Sequence, residues 1–88
     1  MQRNYTFQQA AFDDFFDWSL INKAIFKKIY ELLKEISRNP FEGKGKPEPL
    51  KHHFKGYWSR RITDEHRLVY KVDEHENIVV ISCKGHYN

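Results

Sequence analysis

The chain has 88 residues, 40% of them apolar and 16% aromatic, a formal charge of +3, a pI near 9.0 and a single cysteine. So short a chain predicts one domain spanning 1–88, because folding hides only roughly 60–65% of its exposable surface and leaves nothing for a second core. One thiol excludes an internal disulfide framework, and MQRNYTFQQAAFDDFF holds no apolar run long enough for a signal peptide or membrane span, so a soluble cytoplasmic protein is expected.

Asn4-Tyr5-Thr6-Phe7 alternates polar with aromatic or β-branched residues, the pattern of a short strand. From Gln9 the period lengthens: Ala11/Phe12, Phe15/Phe16 and Trp18 recur at three-to-four spacing, opposite Asp13, Asp14 and Asp17. This predicts an amphipathic helix ending near Leu20 or Ile21, with its acids near the positive end of the helix dipole. Asn22 suits the N-cap of a second helix, whose apolar stripe is Ile25, Ile29, Leu32/Leu33 and Ile36 and which Asn39-Pro40 stops. Two helices so closely joined form an antiparallel hairpin.

Pro40–Pro49 contains two glycines and three prolines, which exclude regular structure, and a loop of that length in so small a chain points to function. Leu50–Phe54, Tyr57–Thr63, Arg67–Val72 and Ile78–Cys83 then read as four strands joined by short links, an antiparallel meander. Both helices must cover one face of that sheet. The expected class is α+β: an N-terminal strand and a two-helix hairpin packed on a twisted antiparallel sheet of about four to five strands.

The positive excess lies wholly in the second half, since residues 1–43 carry six basic and six acidic side chains and residues 44–88 carry nine and six. This distribution suits an anionic partner such as nucleic acid, or equally a solvated lysine-rich face. Within it, Glu48 lies between Pro47 and Pro49, which leave its backbone few paths. A carboxylate aimed in this way among Lys44, Lys46 and Lys51 is either a general base for a hydroxyl or a local counter-charge.

Arg61 and Arg67 fall on neighbouring strands, and if they share a face their planar donor forks suit a phosphate; ion pairing with Asp64 or Glu65 is the other reading. Arg60 must then point to the opposite face. His86, beside Tyr87, is either a general acid or an exposed tail residue. Cys83-x-x-His86 is weak as a metal motif because it lacks a second ligand pair. His52 and His53 alternate faces on a predicted strand, while His66 and His75 fall in turns and are expected in solvent. Of Tyr57 and Trp58, one should enter the core and the other be free to stack on a base.

The run Pro40-Phe41-Glu42-Gly43-Lys44-Gly45-Lys46-Pro47-Glu48-Pro49-Leu50-Lys51-His52, followed by Gly56–Thr63 and Glu65–Tyr70, closely resembles the YoeB/Txe toxins of the RelE/ParE superfamily. Cys83-Lys84-Gly85-His86-Tyr87 fits the C-terminal motif of those toxins, although Gly85 stands where they carry a bulky aromatic, which predicts a looser tail. The resemblance implies a RelE-like, microbial-RNase-like fold and a toxin of a type II toxin–antitoxin pair that cuts mRNA in the ribosomal decoding site. By that resemblance Glu48 is the general base, Arg67 stabilises the phosphate and His86 is the general acid. Lys51 and Arg61 add positive charge, Tyr87 lies near the base being cut, and Lys44 and Lys46 are expected substrate contacts.

The implied partners are mRNA and rRNA of the ribosome, a YefM-type antitoxin and a second copy of the chain. DNA is reached only through the antitoxin complex, and no membrane is involved. Attack by the RNA 2′-hydroxyl on its own phosphate calls for no metal or other cofactor. Two other readings stand beside this one: a ParE-like gyrase inhibitor, which would need neither Glu48 nor His86, and a ribosome- or RNA-binding module that cuts nothing.

Overall fold

The computed structural model describes residues 3–85. The elements run β1 (Tyr5–Phe7), α1 (Gln9–Ile21), α2 (Lys23–Arg38), β2 (Glu48–Pro49), a 3-10 turn (His52–Phe54), β3 (Trp58–Arg61), β4 (Arg67–Val72) and β5 (Ile78–Ser82). Asn22 serves both helices: its N–H closes α1 on Trp18 O at 2.9 Å, and its Oδ1 accepts the Ile25 N–H at 3.1 Å to cap α2. The chain therefore reverses on a single residue, and the two helices lie against each other.

Burial follows the predicted stripe on α2, where Ile29, Leu32, Leu33 and Ile36 are all buried. Each removes roughly 1.5–3 kcal/mol of apolar surface from water. They meet the inward residues of the sheet: Leu68 and Tyr70 of β4, and Ile78 and Val80 of β5. At the other end of the hairpin Phe7, Phe15 and Phe26 stack with ring centroids 5.4 and 4.7 Å apart, joining β1, α1 and α2.

The sheet has five strands in the order β1-β5-β4-β3-β2. Strands β2 to β5 form the expected antiparallel meander, whereas β1 pairs parallel to β5, with Tyr5 opposite Ile78. The sheet is thus mixed, because the helical hairpin returns β1 to the far edge in the direction of β5.

Four local expectations are corrected. Leu50–Phe54 is not a strand: β2 is the pair Glu48–Pro49, and the chain then turns through His52, whose φ of +58° breaks the extended path. The β3 ladder ends at Arg61, since the Arg61 N–H is taken by Gly45 O at 2.6 Å and those of Ile62 and Thr63 by His66 O. On α1 only Ala11, Phe15 and Trp18 face inward, so Phe12 and Phe16 stand outside at 58% and 60% exposure. The α1 aspartates lie beyond the first turn, which contains no acid. Among the described residues no helix is long and apolar enough to cross a membrane.

Candidate active site

Antiparallel register decides which side chains meet, since directly paired residues project to the same face. Glu48 pairs with Ser59, Ser59 with Val69, and Arg61 with Arg67. Strand alternation then puts Glu48, Ser59, Arg61, Arg67 and Val69 on the sheet face away from the helices. Arg61 is the diagonal neighbour of Glu48, a backbone separation of about 7–8 Å that long side chains bridge. A carboxylate and two guanidiniums thus share one face, on which Glu48 and Arg61 are exposed, Arg67 is half-buried and Val69 is buried.

The two arginines are held differently. Arg67 is half-buried, and its Nη1 donates to the turn carbonyls of Thr63 at 2.7 Å, Asp64 at 3.1 Å and His66 at 3.2 Å. Among the described residues its Nε and Nη2 remain available to a ligand. Arg61 is exposed and reaches Asp64 Oδ1 only at 4.0 Å, across a fully solvated carboxylate, so this ion pair is marginal. Arg67 has no carboxylate partner among the described residues, so of the ion pairs expected with Asp64 or Glu65 only the marginal Arg61–Asp64 contact is present there.

Glu48 is exposed at the edge of the sheet, on a strand whose prolines leave it extended. Lys51 follows Glu48 by three residues, exposed, where the 3-10 turn begins. Lys46 is exposed and turns the chain at a φ of +51° just before Pro47. Lys44 lines a groove with Tyr5, Lys34 and Arg38, on the side of α2 and β1. His86 and Tyr87 lie outside the described residues, but the residue before them is placed: Gly85 O accepts the Arg67 N–H at 2.8 Å, and Gly85 N–H donates to His66 Nδ1 at 2.9 Å. Gly85, expected to loosen the tail, is itself tied at both backbone groups.

The sequence reading missed two supporting residues. Arg60 is fully buried, its Nε donating to Tyr70 Oη at 3.2 Å, Nη1 to Lys44 O at 3.1 Å and Nη2 to Asn39 O at 2.6 Å and Glu42 O at 2.8 Å. Tyr70 in turn donates to Pro40 O at 2.5 Å, and burial raises its phenol above the ordinary value, with Arg60 opposing the shift. This guanidinium therefore gathers the loop that leads to Glu48. Strand alternation already sent Arg60 inward; the carbonyls that receive it are separated from it by 16–21 residues, so spacing could not reveal them.

His66 was expected in solvent, yet its side chain is only 12% exposed and packs edge-on against Trp18 at 4.9 Å. His52 and His53 fall in the 3-10 turn instead of a strand. Trp58 packs on the core, while Tyr57 lies under Lys71 Nζ, 5.4 Å from the ring centroid. Cys83 is fully buried with Sγ 3.6 Å from Ala11 O, and burial, followed by the charge of Asp14, pushes its thiol up to about 12. It remains a neutral thiol at physiological pH.

Comparison with known proteins identifies the family of the chain. A family model described as YoeB-like toxin of bacterial type II toxin-antitoxin system matches residues 7–87. The chain is 53% identical over 79 residues to Toxin YoeB of Escherichia coli K12, covering 90% of this chain and 93% of that one. Two solved Staphylococcus aureus structures are similar: a YoeB dimer (TM-score 0.90, 51% identity) and a YoeB–YefM complex (TM-score 0.89, 52% identity), each covering 99% of this chain and 100% of its own. With the fold, the Pro-flanked carboxylate and the paired arginines all in place over nearly its whole length, the chain belongs to the YoeB-like toxins of bacterial type II toxin–antitoxin systems.

Proposed function

We propose that this toxin is a ribosome-dependent mRNA endonuclease acting in the cytoplasm. The observation that carries the reading is the shared face: register puts Glu48 diagonal to Arg61 and pairs Arg61 with Arg67, while the Arg67 N–H holds Gly85 O just before His86 in the sequence. In the proposed reaction Glu48 takes the proton of the RNA 2′-hydroxyl, which attacks the adjacent phosphorus in line. Arg67, Arg61 and Lys51 hold the charge that grows on the phosphoryl oxygens. His86 protonates the departing 5′-oxygen, leaving a 2′,3′-cyclic or 3′-phosphate and a 5′-hydroxyl. Lys44 and Lys46 would contact the RNA backbone, and Tyr87 the base at the cut.

The relatives also support the partners. A YefM-type antitoxin and a homodimer are proposed here because the similar S. aureus proteins are described as a YoeB–YefM complex and a YoeB dimer. Phe12, Phe16, Leu20 and Ile21 form an exposed apolar row on α1 that suits a protein partner better than water. A gyrase-inhibiting toxin of the ParE type has no use for a carboxylate on the same sheet face as an arginine pair, and a non-cleaving RNA-binding module would keep full effect without Glu48.

The test is Glu48→Gln in purified translating ribosomes, with 5′-hydroxyl ends mapped on the mRNA. Cleavage should fall by about 10²–10⁴-fold, the span for losing a general base, with ribosome binding retained. Undiminished cutting by this variant would remove Glu48 from the mechanism, and absence of 5′-hydroxyl ends with the wild-type chain would refute the nuclease.

A further inference from the structure

His66 has no part in the chemistry just described, yet it is among the most firmly placed side chains near the site. It ends the turn between β3 and β4, where its N–H donates to Thr63 Oγ1 at 3.1 Å and its carbonyl accepts from Ile62 and Thr63 at 3.0 and 3.2 Å. The ring lies edge-on to Trp18 with 70° between the planes. Because Nδ1 accepts the Gly85 N–H at 2.9 Å, the neutral ring carries its proton on Nε2, which faces Glu65 Oε1 at 3.6 Å. Trp18 itself donates Nε1–H to Cys83 O at 3.0 Å. His66 of the turn, Arg67 at the start of β4 and Trp18 of α1 thus hold the backbone from Cys83 to Gly85.

Gly85 needs such external restraint. It sits at a φ of +69° with open space where a Cβ would be, so neither its own backbone preference nor packing selects this position. We propose that His66 is a positioning residue whose imidazole Nδ1 clamps Gly85 beside Arg67 and so sets the point from which the chain delivers His86. The clamp stands on geometry; its effect on cleavage rests on the nuclease reading above. His86 follows Gly85 directly in sequence. Without the Nδ1 bond Gly85 is held, among the described residues, only at its carbonyl, by the Arg67 N–H, and a shift of about 1 Å at a reacting group costs on the order of 10²-fold in rate.

Wild-type full-length chain labelled with nitrogen-15 should show a through-hydrogen-bond coupling between the Gly85 amide and His66 Nδ1; its absence, or a protonated Nδ1, overturns the clamp. His66→Leu should release the Gly85 amide to fast hydrogen exchange and lower kcat on ribosome-bound mRNA by about 10–10²-fold, with KM unchanged. His66→Asn, whose amide oxygen occupies the place of Nδ1, should restore the exchange protection and most of kcat although it loses the ring contact with Trp18. If both variants lose kcat only in step with lost melting temperature, or if His66→Leu keeps wild-type kcat, positioning is refuted. A wild-type chain that cuts no RNA would sink the nuclease reading, while coupling and exchange would still decide the clamp.

Discussion

Arg60→Met separates the intrinsic preferences of the loop before β2 from the pull that Arg60 exerts on it. Methionine is unbranched and of similar reach, so little cavity opens and the loss is chiefly that of the donors. Those donors serve four oxygens, three of them backbone carbonyls at Asn39, Glu42 and Lys44 that no second substitution can remove. Leaving a carbonyl of this kind without its donor costs about 1–3 kcal/mol, so the three together cost at least ~3 kcal/mol. A domain of this length has only about 4–13 kcal/mol in total. At about 4–8 °C per kcal/mol, the unfolding midpoint should drop by at least ~12 °C. Circular dichroism melts at matched protein concentration provide the measurement, because self-association raises the midpoint by mass action. Arg60→Lys keeps the charge but replaces a planar fork with a point donor, and should fall between the two. A midpoint for Arg60→Met within ~3 °C of wild type would mean that the carbonyls do without the guanidinium, and the loop is held by something else.

Arg67→Ala should lower cleavage at least as much as the ~10²-fold minimum expected for Glu48→Gln, and a loss under ~10-fold would place the phosphate elsewhere. Gly45→Ala should cost about 1–3 kcal/mol in urea unfolding. Gly45 has φ +84° and its added Cβ would lie 3.0 Å from Leu32 Cδ2, 3.2 Å from Arg60 Cβ and 3.3 Å from Arg61 O, so an unchanged midpoint would contradict that crowding. The raised Cys83 thiol makes a signed pH prediction. Above its ordinary value of 9.0 the unfolded thiol ionises while the folded one, raised to about 12, keeps its proton. Its contribution is therefore intact below pH 9 and declines by about 1.4 kcal/mol per pH unit from there toward pH 12. Cys83→Ala should flatten that decline between urea titrations at pH 8 and pH 10; parallel behaviour of the two proteins would refute it.

Both helices were legible because their periodicity, the Asn22 cap and Asn39-Pro40 all agree. The Arg60/Arg61 doublet was legible in direction because strand side chains alternate, and register bore this out by pairing Arg61 with Arg67. What could not be read were contacts between segments distant in sequence. The parallel pairing of β1 with β5 depends on where the hairpin returns the chain, and the burial of His66 depends on Trp18, 48 positions earlier, arriving over the turn. Leu50–Phe54 misled for a different reason: its composition suits a strand, but His52 adopts a left-handed backbone that composition does not announce. Phe12 and Phe16 were counted inward because periodicity reports an apolar arc without saying how much of it finds a surface to cover.

The sheet order also constrains how the molecule can be made. β5 is the last strand along the chain, yet it stands between β1 and β4. β1 emerges first during synthesis and has no strand to pair with until Ile78–Val80 appear, more than 70 residues later. Closing so long a loop comes late and slowly, in contrast to the local hairpin of α1 and α2. The helices and the β3–β4 hairpin can form during elongation, but the shared core of β4 and β5 closes only once Ile78–Ser82 have left the ribosome. Until β5 emerges, β1 has no partner strand and the inward residues of β4 lack their β5 neighbours.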